Sequence, residues 1–201
     1  LAEGQSPAGS QLAKTDLDAV YSQYGDFIEI SDVVDLTVED AVIIEAVELL
    51  GQQFGETIDA IVRDTLASVL TNVNASSGVN GDATATEITA FDVNGVVKTL
   101  MGNNAGMISN VVTASSGNGT VPIPPSYFGL VDTDITDDIA SMSNYVSTQE
   151  YGMQMPVMEA EWGSTGRVRW LASSNGYVSG GYYSAFIVGK NAYGVSEIEG
   201  G

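Results

Sequence analysis

The densest set of oxygen ligands in the chain is Asp132-Thr133-Asp134-Ile135-Thr136-Asp137-Asp138, and divalent-metal chemistry is the first thing such a run could do. A calcium loop of the EF-hand kind takes oxygen ligands at positions 1, 3 and 5, a glycine at 6 and a glutamate at 12. Here position 5 is Thr136, position 6 is Asp137 and position 12 is Ser143, so that pattern fails. A simpler reading has Thr136 capping a short helix that ends near Met142, with Asp137 and Asp138 in its first turn. A second acidic group, Asp26, Glu29, Asp32 and Asp35, would be divided between two faces of a strand, Asp26 and Asp32 on one and Glu29 and Asp35 on the other. These read as solvated strand edges. Arg167-Val168-Arg169 puts two guanidiniums on one strand face, which suits an ion pair to a neighbouring acid better than a phosphate site. Gly117-x-Gly119 lacks the third glycine and the strand-to-helix setting of a dinucleotide fingerprint. Met153, Met155 and Met158 around Pro156 read as a pliable apolar contact surface, in a core or a subunit interface.

Composition removes most other chemistry. The 201 residues include no histidine and no cysteine. That excludes imidazole bases, Ser-His-Asp and Cys-His nucleophiles, and the usual ligands of zinc and haem. No catalytic, cofactor-binding or metal-ligating residue is assigned, and the chain does not read as an enzyme. If it were one, the acids of 132–138 would be the place to look. Twenty-six acids against six bases give a net charge of −20, which disfavours tight nucleic-acid binding and anionic membrane surfaces. No run approaches the ~18 apolar residues of a membrane span. The chain opens at Leu1 and closes on Glu199-Gly200-Gly201, and it reads as part of a longer protein.

The element that must position everything else is a long amphipathic helix. Ile43, Val47, Leu50, Phe54, Ile58, Val62, Leu66, Val69 and Val73 recur in steps of four and three. The expected helix is Thr37–Val73, with Thr37 as N-cap and Glu39 and Asp40 in its first turn. At 1.5 Å per residue it would be about 55 Å long, a spine along which the rest is hung. Gly51 and Gly55 within it suggest close packing against a neighbouring strand or a built-in bend.

Before the helix, residues 1–35 read as an extended arm or hairpin, strand-like from Ala19 to Val34. After it come a polar loop at 74–85, a helix from about Thr89 to Met101 ending at Gly102-Asn103-Asn104, and a Ser/Gly loop at 114–119. Tyr127–Val131 reads as a buried strand, and the tail as strands over Gly166–Ala172, Tyr182–Gly189 and Asn191–Ile198. This order is α+β.

A family resemblance covers most of the chain. Leu1-Ala2-Glu3-Gly4 with Pro7, then Tyr24-Gly25-Asp26-Phe27-Ile28-Glu29-Ile30-Ser31-Asp32, resembles the opening signature of the N4 gp56-like major capsid proteins of tailed bacteriophages. Glu45-Ala46, Glu48-Leu49-Leu50-Gly51, Gly55-Glu56-Thr57, Asp59 and Arg63-Asp64 are similar to the helix region of that family. So are Tyr127-Phe128-Gly129 through Asp137-Asp138-Ile139, Tyr151-Gly152, Glu161-Trp162-Gly163, Arg167 to Ala172, and Gly189-Lys190-Asn191-Ala192-Tyr193-Gly194-Val195.

The resemblance implies an HK97-like capsid fold with an extended loop, a peripheral domain and an axial domain. Residues 1–30 would be part of the extended loop and 31–75 the peripheral domain with the spine helix. Residues 76–185 would be mostly the axial domain, and 186–201 the return to the peripheral domain. It implies a virion capsid protein assembled in the host cytoplasm as a homo-oligomer of hexamers and pentamers. The shell would enclose double-stranded DNA without sequence-specific binding, with scaffold or decoration proteins as further partners and no membrane. Lys14, the only lysine of the loop segment, is not assigned a cross-linking role. A strongly acidic subunit would repel packaged DNA and so confine it without adhesion. An encapsulin-like nanocompartment shell and a secreted acidic binding domain stand as alternatives.

Overall fold

The computed structural model describes residues 11–14, 16, 20, 22–32, 42–75, 86–114, 120–152 and 158–195. The chain divides into two compact units, Leu1–Phe54 and Gly55–Gly201. Its described elements mix helix and sheet, compatible with α+β.

The first unit carries the segment 22–31, which forms neither helix nor strand, and the start of helix α1 (Val42–Val69). The strand expected over Ala19–Val34 is not formed among the described residues of that range, because an extended segment becomes a strand only beside a hydrogen-bonding partner. Asp26 is exposed; its carboxylate accepts from the Phe27 amide at 2.8 Å and from Gln53 Nε2 at 2.8 Å. Helix α1 is 28 residues long, about 42 Å at 1.5 Å per residue. Thr37, Glu39 and Asp40 lie outside the described residues. At the other end the helix closes at Val69, four residues short of Val73, with the Leu70 amide donating to the Leu66 carbonyl at 2.9 Å. Thr71 and Asn72 follow, both poor helix formers.

The second unit is built on helix α2 (Ala90–Gly102) and a five-stranded sheet. The helix starts where the sequence places it, because Thr89 and Asp92 form a reciprocal capping box. The Asp92 amide donates to Thr89 Oγ1 at 3.4 Å and the Thr89 amide to Asp92 Oδ2 at 3.0 Å. Asn103 and Asn104 close it, Asn104 with a φ of 56°. Val93 and Val97, one turn apart, are its buried face.

The strands are β1 (Tyr127–Asp132), β2 (Tyr145–Ser147), β3 (Glu161–Thr165), β4 (Val168–Ser173) and β7 (Phe186–Val188), in the order β2-β3-β4-β1-β7. β1 and β4 run parallel and the other neighbours antiparallel. A short helix α3 (Thr136–Ala140) follows β1. Strand alternation sends Tyr127 and Val131, with Val168 and Trp170, into one core beside Val93, Val97, Ile139 and Met142. Gly129 faces Trp170 across the β1–β4 register, and a Cβ there would clash with the indole ring's Cε3. A second, small cluster of Val112, Ile123 and Tyr151 packs with Val146. Strands β5 (Tyr177–Ser179) and β6 (Tyr182–Ser184) form a separate hairpin. Its two-residue turn, Gly180-Gly181, has φ of 60° and 85°, the left-handed pair that a tight hairpin requires.

Two further expectations are corrected. Helix α3 has no side-chain cap from Thr136, whose hydroxyl instead donates to the Thr133 carbonyl at 2.7 Å. The capping carboxylate is Asp132, four residues earlier, which accepts from the Asp134 amide at 2.9 Å and opens a 3-10 turn before the helix. Asn191–Val195 is turn and irregular chain, not strand, with Asn191 at a φ of 60°; residues 196–198 lie outside the described set.

Candidate functional site

Among the described residues no cluster of acids is arranged to hold a metal ion. Of the 132–138 acids, Asp132 and Asp134 are engaged in local structure. Asp132 is buried and its Oδ2 accepts from the Gly176 amide at 3.1 Å, joining the end of β1 to the turn after β4. Asp134 accepts from the Tyr183 hydroxyl at 2.6 Å, which raises the tyrosine pKa. Asp137 is exposed and Asp138 half-buried. Glu29 and Asp32 are exposed like Asp26, and Asp35 lies outside the described residues. Met158 is exposed, while Met153 and Met155 are outside that set, as are Gly117 and Gly119. Lys14 pairs with nearby Asp16 at 2.7 Å on the surface.

The two arginines of 167–169 part company. Arg169 is buried and forms a two-pronged ion pair with fully buried Glu161, Nε to Oε1 at 2.7 Å and Nη2 to Oε2 at 2.5 Å. That geometry is the strong form of an arginine–carboxylate contact, and it holds the arginine pKa above its usual value. The Tyr151 ring lies 5.9 Å from the guanidinium carbon. Burial pushes the Tyr151 phenol pKa up, and the Glu161 charge adds to the shift. Arg167 sits in the β3–β4 turn, exposed, 3.8 Å from the Met107 sulfur. No described carboxylate reaches it.

Sequence reasoning gave no individual role to Asp59, Arg63 and Asn175, which the fold brings together. Asp59 and Arg63 are four apart on α1 and so share a face. Arg63 Nη1 donates to Asn175 Oδ1 at 2.6 Å and to the Asn175 carbonyl at 3.2 Å, and the Tyr177 ring lies 6.0 Å from its guanidinium carbon. Asn175 Nδ2 donates to Asp59 Oδ2 at 2.7 Å. The i, i+4 spacing of acid and base was the available signal, but it named no third partner.

Helix α1 presents the most extensive apolar exposure of any helix among the described residues. None of its residues is buried. Ile43, Ile44, Val47, Leu49, Phe54, Ile58, Val62 and Val69 are all exposed, Phe54 by 63% and Val69 by 78%. Burying a side chain of this kind contributes about 1.5–3 kcal/mol. With eight of them partly exposed, the burial forgone is on the order of several kcal/mol, a sizeable part of the ~5–15 kcal/mol that holds a whole domain together. The glycine expectation is corrected here: a Cβ at Gly51 or Gly55 would meet nothing within 4 Å, so neither packs against a strand among the described residues. An apolar face of this length, uncovered among the described residues, is the kind of patch on which protein partners dock.

No helix of the described residues is long and apolar enough to cross a membrane. None of the curated proteins matches the chain. A family model described as phage capsid protein matches residues 16–199, nearly the whole length. The chain therefore belongs to the phage capsid protein family, whose members are structural components of the virion shell.

Proposed function

We propose that this chain is the shell-forming subunit of a tailed-phage head, assembling through its own copies into hexamers and pentamers that enclose double-stranded DNA. The fold we propose for it is HK97-like, of the N4 gp56-like branch, with α1 as the spine helix of a peripheral domain at 31–75 and an axial domain over about 76–185. The observation that carries the reading is the uncovered apolar face of α1 in a chain of the capsid family. A shell supplies what that face lacks, since every subunit buries its long edges against neighbours of the same sequence. The net charge of −20 favours DNA held by confinement and not by adhesion.

The experiment is light scattering of the purified chain and of V47E/F54E, with circular dichroism to confirm folding. The wild type should form large closed particles and the folded variant should stay small. Particles of equal size and yield from V47E/F54E would refute the reading.

A further inference from the structure

A groove of about 580 Å³ runs between α2 and the β2–β3 region, lined by Lys98 and Met101 of the helix, Pro122 and Pro124, Asn144, and Arg167 of the β3–β4 turn. Two of the six basic residues of a −20 chain meet in this lining, and it contains no acid. Three of the other four bases are ion-paired, Lys14 to Asp16, Arg63 to Asp64 and Arg169 to Glu161. Lys98 and Arg167 have no carboxylate within ion-pair distance among the described residues. The Oδ1 of Asn144, in the same lining, is buried without a hydrogen-bond partner in that set.

We propose that this groove seats a carboxylate-bearing surface of a second copy of this chain. The inference rests on the shell reading and adds where one contact lies. Charge selects the occupant. Two copies at −20 repel each other over most of their surfaces, so an acid-free cationic groove is where the acids of another copy are attracted. The lining argues for protein over nucleic acid. Met101, Pro122 and Pro124 offer apolar contact between the charges, whereas a phosphate backbone needs a longer run of cations to overcome the field of the chain. The contact is also head-to-tail by construction, a cationic groove on one copy against an acidic surface on the next. Heterologous contacts of that kind close into rings when the rotation between copies closes.

The test uses assembled protein made from mixed ¹⁴N and ¹⁵N chains, treated with a carbodiimide, which joins an amine to a carboxylate in direct contact. Mass spectrometry should find Lys98 joined to an Asp or Glu of the other isotope. In parallel, K98E/R167E should remain folded by circular dichroism and need about tenfold or more protein to assemble at low salt. K98R/R167K, which keeps the charges, should assemble like wild type. Assembled protein without the mixed-isotope Lys98 peptide, or K98E/R167E shells at wild-type concentration, overturns the groove proposal and leaves the shell reading standing. A wild-type chain that stays monomeric defeats the shell reading, and this one with it. Wild-type retention on immobilised duplex DNA that K98E/R167E loses would give the groove to nucleic acid instead.

Discussion

Arg63 on helix α1 and Asn175 in the turn after β4, 112 positions apart in sequence, are held together by a 2.6 Å hydrogen bond from guanidinium to side-chain carbonyl. The same asparagine donates to Asp59 one turn earlier on the helix, so a single amide bridges a base and an acid of one face. Asn175→Ala removes both bonds at once. Hydrogen bonds to charged groups contribute about 1.5–3 kcal/mol each, and the variant should lower the denaturant midpoint accordingly. Asn175→Asp keeps the bond to Arg63 and sets a like charge against Asp59, so it should fall between wild type and alanine. An unchanged midpoint for Asn175→Ala would show that the bridge is incidental.

The buried Glu161–Arg169 pair should be far costlier to break than to replace. Glu161→Ala or Arg169→Ala alone leaves a charge stranded in the interior, and each should cost about 3–5 kcal/mol in chemical denaturation. Glu161→Leu/Arg169→Leu strands no charge, only the Met158 amide that Glu161 accepts from at 3.0 Å, and should cost less than either single change. If the double variant is as unstable as the sum of the singles, the two side chains are not coupled.

Tyr151 gives an alkaline signature. Its folded pKa lies above the ordinary value of 10.0, chiefly through burial and also through the Glu161 charge. The unfolded chain therefore loses the proton first as pH rises. The contribution is complete below about pH 10 and is lost as pH climbs through the raised folded value. Thermal melting from about pH 9 to 12 should fall more steeply for wild type than for Tyr151→Phe. Parallel curves would assign the alkaline slope to other groups.

Glycines in this chain divide by what surrounds them. Gly129→Ala drives a methyl into the Trp170 ring and should cost about 1–3 kcal/mol or more by overpacking. Gly51→Ala and Gly55→Ala add a methyl in open space within a helix. Each should stabilise by about 1 kcal/mol in the unassembled chain. Thermal melts of the three variants decide the matter; destabilisation at position 51 or 55 would reveal a contact there.

Local signals were legible where they are self-contained. The start of α2 near Thr89 and its Gly102-Asn103-Asn104 stop are visible in the sequence, and the apolar period of α1 follows from its own residues; the Thr89–Asp92 capping box that fixes the start emerged only in the structure. What sequence could not supply was the partner. Ala19–Val34 has strand composition but no described neighbour to ladder with. Thr136 looked like a cap because Asp132, four residues earlier, makes its bond to Asp134 through a 3-10 turn invisible to helix rules. Arg167 and Arg169 have the same chemistry, yet only the second finds Glu161, because the β3–β4 register brings those two strands together. The apolar stripe of α1 was legible as a buried face, and its partner is not in the described fold.

The most direct test of the central claim is electron microscopy of particles formed by the full chain, with image averages resolved well enough to trace α1. The account predicts closed shells with rings of six and five subunits, in which Val47, Phe54, Ile58 and Val62 lie against neighbouring copies. A monodisperse monomer, or shells in which that stripe faces solvent, would contradict it.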